Sequence, residues 1–325
     1  MLGNSQSAPF YPPNLLFTAI GDANIPFGFG ILLAFHLLLL GFGVVRLLTL
    51  WGLSPPAATI GGLVSLFNVH LMAWTPIASH ISVLAWTPWI LVLISRRRPI
   101  GAGCLMGIAL LGGHLQMGAY VLGMVGLAEL WAGRTTRWPQ RICSVVVLCS
   151  VAIGLSAIQF IPALELGGQS HRGGVAATPD GYRAYVQNAI PIHLALTWIA
   201  PDTFGNPSKG NGANWIVSAT GHPNAYAEWV SYIGIGGLMF AVTGFSLFVR
   251  KKGAPLWGMA GWVPLFCGLA LSLAFGTELN RVLYFCVPGF ASTGNPGRIL
   301  GAAVAKIKAT LIDVLVVPPW GDGEV

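Results

Sequence analysis

The chain has 325 residues, of which 54% are hydrophobic and only 8% charged, with a mean hydropathy of +0.71; an ordinary soluble domain carries about 25% charged residues. Uncharged stretches this long exclude a water-soluble globular protein, because burying them would need a core with almost no surface. The formal charge of +7 does not mark a nucleic-acid binder either, since the basic residues sit in short clusters between apolar stretches, as in the loops of membrane proteins.

Residues 1–26 show no basic segment followed by an apolar one, so no signal peptide is read there, and Asp22 is their single acid. A span needs roughly 20 apolar residues, and Phe27–Leu50, uncharged until Arg46, predicts the first. Ala57–Ser95 contains no acid, Lys or Arg and is too long for one span. Arg46 precedes it and Arg96, Arg97 and Arg98 follow it, and equally basic flanks require an even number of crossings. Two short helices are therefore predicted, divided at Trp74-Thr75-Pro76. The same logic makes Pro99–Gly133 a second hairpin, broken at Gly112-Gly113 and followed by Arg134, Arg137 and Arg141. Ile142–Pro162, Glu228–Phe248 (ending at Arg250, Lys251 and Lys252) and Pro255–Phe275 supply three more spans. Residues 163–227, rich in Gly, Pro, Asn, Ser and Tyr, predict one large extramembrane loop or small lobe with turns at Gly210-Asn211-Gly212 and Pro223-Asn224.

The expected fold is an all-α polytopic membrane protein of about eight transmembrane helices, several short and paired as hairpins, with one large mixed external loop. Its parts are an external juxtamembrane segment (1–26), six helices (27–162), the loop or lobe (163–227), two further helices and an external segment (228–300), and an atypical tail (301–325). One face collects Arg46, Arg96, Arg97, Arg98, Arg134, Arg137, Arg141, Arg250, Lys251 and Lys252. The other has Arg172, Arg183, Lys209 and Arg281 with the acids Asp22, Glu165, Asp180, Asp202, Glu228 and Glu278. The positive-inside rule makes the first face cytoplasmic and the loop-bearing face external.

No Walker, Rossmann, zincin or G-x-S-x-G pattern occurs, and the glycines lie inside apolar helices, where small residues let helices approach. The five cysteines form no C-x-x-C pair and read as small buried hydrophobes. His36, alone in mid-span, reads as a hydrogen-bonded buried imidazole. Trp74, Trp86, Trp89, Trp198, Trp215 and Trp229 read as an aromatic belt at the membrane edges. The remaining polar residues converge on the external side: His70 and His80 at the first hairpin tip, His114 and Gln116 at the second, and Glu165, Arg172, Asp202 and Glu228 from the loop region. Ionisable groups near membrane depth are costly and tend to be functional. A single cleft lined by His114, Gln116, Glu165, Arg172, Asp202 and Glu228 is the expected site.

Ser5-Gln6-Ser7-Ala8-Pro9-Phe10-Tyr11-Pro12-Pro13-Asn14-Leu15-Leu16 resembles a stretch of the YfhO-like bacterial membrane proteins. Ala85-Trp86-Thr87-Pro88-Trp89 resembles their "A-W-L-P-W", and Gly113-His114-Leu115-Gln116 their "G-H-P-Q" with Leu115 in place of Pro. Pro162-Ala163-Leu164-Glu165-Leu166 with Ser170 and Arg172, Pro201-Asp202-Thr203-Phe204-Gly205, Glu228 with Tyr232 and Gly234, and Pro288-Gly289-Phe290 with Pro296 and Arg298 follow in the family's order. The resemblance implies a GT-C-type glycosyltransferase that takes a sugar from a polyprenyl-phosphate carrier and passes it to a cell-envelope glycan or polymer acceptor outside the bacterial cytoplasmic membrane. It implies substrate-binding roles for His114, Gln116, Glu165, Arg172, Asp202, Glu228, Tyr232 and Arg298. A divalent cation is left open, and no soluble nucleotide cofactor or nucleic acid is called for. The family's first helix and the acid of its first external loop have no counterpart here, and after Leu300 the sequence departs from the family. The expectation is therefore a chain lacking its native N-terminus and inactive alone. The alternative is a transporter or lipid-handling membrane protein without glycosyltransferase activity.

Overall fold

Apolar runs punctuated by Pro, Gly and basic clusters become helices that stop where those residues stand. The computed structural model describes residues 5–131, 137–169, 178–206, 226–239, 262–287, 290–292 and 298–299, and among them there is no strand. Short helical turns between Ser5 and Asn24 lead into α1 (Ile25–Leu50). There follow α2 (Pro55–Leu66), α3 (Val69–Ala73), α4 (Ala78–Leu84), α5 (Thr87–Ser95), α6 (Pro99–Leu111), α7 (Leu115–Trp131) and α8 (Trp138–Gln169). Beyond these lie α9 (Pro179–Gln187), a 3-10 stretch at Ile192–Trp198, α10 (Tyr226–Trp229), α11 (Trp262–Ala274) and α12 (Glu278–Cys286). Proline opens α1, α2, α5, α6 and α9, a position whose N–H has no helical partner to lose.

Among the described residues, four segments are long and apolar enough to cross a membrane: Asp22–Leu50, Pro55–Ala73, Ala78–Ser95 and Trp138–Leu166. This is a multi-pass helical membrane protein. Helices α6 and α7 are apolar but shorter. The apolar stretch of Ala78–Ser95 is 72% buried and that of Trp138–Leu166 only 22%, so α4–α5 form the centre and α8 an outer wall. Ile142, Val146, Ile158, Ile161 and Leu164 of α8 are exposed, an arrangement that suits hydrocarbon rather than water. Helix α6 packs closely on α8: a Cβ on Gly103 would stand 2.8 Å from the Leu148 carbonyl oxygen, and one on Gly107 2.9 Å from Leu155 Cβ. Ile81, Leu84, Ile90, Leu91, Met106, Met117 and Met124 fill the interior.

The bundle has two chemically different ends. At one, Trp51 Nε1 reaches Ser95 Oγ at 3.5 Å and Arg97 pairs with Glu129 at 3.2 Å; Arg46, Arg96, Arg98 and Arg137 are exposed there or one turn away. At the other, the turn after α3 meets the turn between α6 and α7.

The structure moves several expected boundaries. Pro162 does not end its helix: α8 runs on to Gln169, because an internal proline removes one N–H donor without forbidding the following turns. Glu165 is therefore helical. Residues 226–229 and 234–239 are helical, but 230–233 between them are not, and Gly234 has a φ of +81°; the expected span from Glu228 is interrupted at its start. Residues 240–261, which carry the facing ends of the last two expected spans, lie outside the described residues. Trp74 and Trp229 are 6% and 4% exposed, so they belong to the interior and not to an aromatic belt; Trp215 lies outside the described residues. His36 is buried with both ring nitrogens bonded, Nε2 accepting from the Tyr11 hydroxyl at 2.5 Å and Nδ1 donating to the Leu32 carbonyl at 2.6 Å.

Candidate functional site

The site forms where two helix breaks face each other. In the first, Asn68 caps α3 by accepting the His70 N–H at 3.0 Å, and Thr75 Oγ1 bonds the Met72 carbonyl at 2.7 Å. The chain turns through Pro76 and re-enters as α4, with His80 on its first turn. In the second, Gly113 takes φ +95°, a left-handed conformation that L side chains resist. His114 then caps α7, its Nδ1 accepting the Met117 N–H at 3.2 Å, so that the N–H of the neutral ring is on Nε2. A Cβ on Gly112 would meet Ser82 Cβ at 3.0 Å, so this glycine lets the second break sit against α4.

Four rings cluster there. Trp74 stacks on His80 with centroids 4.5 Å apart and planes 13° apart; His80 meets His114 edge-on at 5.3 Å and His70 at 5.5 Å. His70, His80 and His114 are 1%, 0% and 4% exposed. Neither ring nitrogen of His80 has a hydrogen-bond partner among the described residues. No group of three or more His, Cys, Asp or Glu side chains among the described residues is arranged to hold a metal ion.

An ion pair stands beside the rings. Arg298 Nε donates to Glu228 Oε1 at 2.8 Å and Oε2 at 3.1 Å, and Nη2 lies 2.7 Å from Oε1. Its Nη1 donates to Gln116 Oε1 at 3.2 Å, and Gln116 Nε2 donates to the Tyr120 hydroxyl at 2.9 Å. The guanidinium carbon lies 5.5 Å over the Trp74 ring, a cation–π placement. The main chain around Glu228 is fixed from three sides: Trp74 Nε1 donates to the Ala227 carbonyl at 2.9 Å, Trp198 Nε1 to the Trp229 carbonyl at 2.8 Å, and His70 Nδ1 to the Val230 carbonyl at 3.3 Å.

Of the residues expected in one cleft, His114, Gln116 and Glu228 come together, and they are joined there by Arg298, whose role only the resemblance had implied. Asp202 stands apart at an exposed position, accepting from Asn206 Nδ2 at 3.0 Å and from the Tyr226 hydroxyl at 3.5 Å. Its partner Tyr226 stands one residue, Ala227, before Glu228 of the cluster. Partial burial and then the Asp202 carboxylate raise the pKa of the Tyr226 phenol. Tyr232 contributes its carbonyl to Val69 N–H at 3.2 Å. Glu165 is exposed on the last turns of α8 and shares no described bond with the cluster. Arg172 lies outside the described residues. Sequence reasoning assigned Trp74 to a belt and passed over Tyr120; the latter sits four residues after Gln116 on the same helical face, a spacing that could have found it.

No family model matches the chain, and neither does any curated protein or solved structure. The likeness to YfhO-like proteins therefore rests on the sequence motifs themselves. The geometry describes a charged, hydrogen-bonded cluster with a buried imidazole group at one end of an apolar bundle. Such a site can hold an anionic group on a guanidinium fork and exchange protons through imidazole.

Proposed function

We propose that the chain is a GT-C-like membrane glycosyltransferase, with about eight crossings, that takes a sugar from a polyprenyl-phosphate carrier and transfers it to a cell-envelope acceptor on the outer side of the bacterial cytoplasmic membrane. In this reading the end carrying Arg298 faces outward and the arginine-rich end faces the cytoplasm. Arg298 receives the carrier phosphate, Gln116 and Trp74 orient the guanidinium, and His80, whose ring nitrogens have no hydrogen-bond partner among the described residues, takes up the hydroxyl proton. The observation that carries the reading is the Arg298–Glu228–Gln116 cluster, built at one end of the apolar bundle: a cation at that level is where the phosphate of a lipid-anchored donor arrives.

Interrupted helices also occur in transporters, whose sites lie near the midplane. The polar residues here gather at one end of the helices, which favours the enzyme. The test measures retention of a radiolabelled polyprenyl-phosphate-linked hexose by the purified full chain in nanodiscs. The wild-type protein binds the donor and Arg298→Gln does not. Equal binding by both, or none by the wild type, refutes the assignment.

A further inference from the structure

The partners of the ion pair are unequal in a way that bears on how a ligand enters. Among the described residues the Glu228 carboxylate makes hydrogen bonds only to Arg298. Arg298 keeps two other contacts, the Gln116 oxygen at 3.2 Å and the Trp74 ring at 5.5 Å, so it stays in position if the carboxylate leaves. The main chain of residues 227–230 is fastened by its own bonds to Trp74, Trp198 and His70; only the Glu228 side chain has to swing. The side chains of Arg298 and Glu228 are 23% and 10% exposed, so the pair sits at an edge that a ligand can reach. A carboxylate on a guanidinium fork occupies the place that two phosphate oxygens would take.

We propose that Glu228 is a built-in occupant of the anion position on Arg298, so that the structure shows a self-blocked state and a phosphate-bearing ligand binds by displacing this carboxylate. The inference rests on the functional reading above and adds its regulation. Apparent affinity is then the intrinsic affinity reduced by the fraction of molecules in which the position is open. Removing the carboxylate's charge tightens binding, which is opposite to the effect of deleting a residue that serves the ligand or merely braces the fold.

The experiment measures binding of two probes, inorganic phosphate and farnesyl phosphate, to the full chain in nanodiscs, with thermal unfolding recorded on the same samples. Glu228→Gln is expected to bind farnesyl phosphate about tenfold more tightly than wild type, with Arg298→Gln binding neither probe. Glu228→Asp, which keeps the charge but shortens its reach, is expected to fall between wild type and Glu228→Gln; it carries the test if Glu228→Gln does not fold. Tighter binding of both probes assigns the position to phosphate itself, and of farnesyl phosphate alone to a lipid-linked phosphate; either supports the proposal. Wild-type binding that is unchanged or weakened in both Glu228 variants overturns the self-blocking role and leaves the functional reading standing. Binding of neither probe by any of the proteins overturns both.

Discussion

Replacing Tyr11 by Phe removes one oxygen from the interior and leaves the ring. The Tyr11 side chain is fully buried, its ring stacked on His36 at 5.6 Å. Its hydroxyl accepts Trp86 Nε1–H at 2.8 Å and donates to His36 Nε2 at 2.5 Å. Losing it strands a donor and an acceptor at once. A buried polar group without a partner costs about 1–3 kcal/mol; His36 is 1% exposed while Trp86 is half-buried, so the expected loss is roughly 2 kcal/mol, near the low end for two groups. His36→Leu is expected to cost less at the hydroxyl, because Tyr11 can still donate to the Ser82 carbonyl, now at 3.4 Å. The double variant Tyr11→Phe/His36→Leu should then be less damaged than the sum of the single ones, with a coupling of about 1 kcal/mol. Tyr11→Ala adds lost packing and should be worse than Tyr11→Phe by about 3 kcal/mol. Thermal unfolding in nanodiscs, followed by tryptophan fluorescence, reads all four. If Tyr11→Phe unfolds with the wild type and the cycle shows no coupling, the hydroxyl does not fasten residues 5–24 to the bundle.

Gly113→Ala places a Cβ at φ +95° and should cost about 1–2 kcal/mol, with weaker farnesyl phosphate binding because His114 and Gln116 follow it directly; wild-type melting and binding would remove the turn from the account. Gly112→Val should be worse, since even a Cβ there comes within 3.0 Å of Ser82 Cβ on α4, and a variant as stable as Gly113→Ala would contradict the close approach to α4. In intact cells, a membrane-impermeant thiol reagent should label Gln187→Cys above the background of the native cysteines and label Arg96→Cys only after lysis; the opposite order inverts the proposed topology.

The helix breaks were legible because Pro and Gly act locally: Trp74-Thr75-Pro76 and Gly112-Gly113 mark the turns that face each other in the structure. Charge counting separated the arginine-rich end from the tips for a similar reason, since charges gather where helices stop. His36 could be recognised as a bonded buried imidazole, but its partner Tyr11, 25 residues earlier, could not, because tertiary pairing leaves no periodic trace. The pairing of Glu228 with Arg298, 70 residues away, was equally invisible. Arg183 and Arg281, on the same face by charge counting, pair within their own helices, with Asp180 at 3.2 Å and Glu278 at 3.8 Å. Pro162 misled in the other direction: it reads as a stop in the sequence, but α8 continues past it to Gln169, because an internal proline removes one N–H donor and leaves the following turns their own hydrogen bonds.

The central claim is that a lipid-linked sugar phosphate meets the chain at the end carrying His80, His114, Gln116, Glu228 and Arg298. Photo-crosslinking with a benzophenone-tagged polyprenyl-phosphate hexose, followed by peptide mapping, tests it most directly. The account predicts adducts within residues 70–80, 113–120 and 226–232, suppressed by excess untagged donor and reduced in Arg298→Gln. Adducts concentrated at Arg96–Arg98 or Arg137–Arg141, or adducts that untagged donor does not suppress, would contradict it.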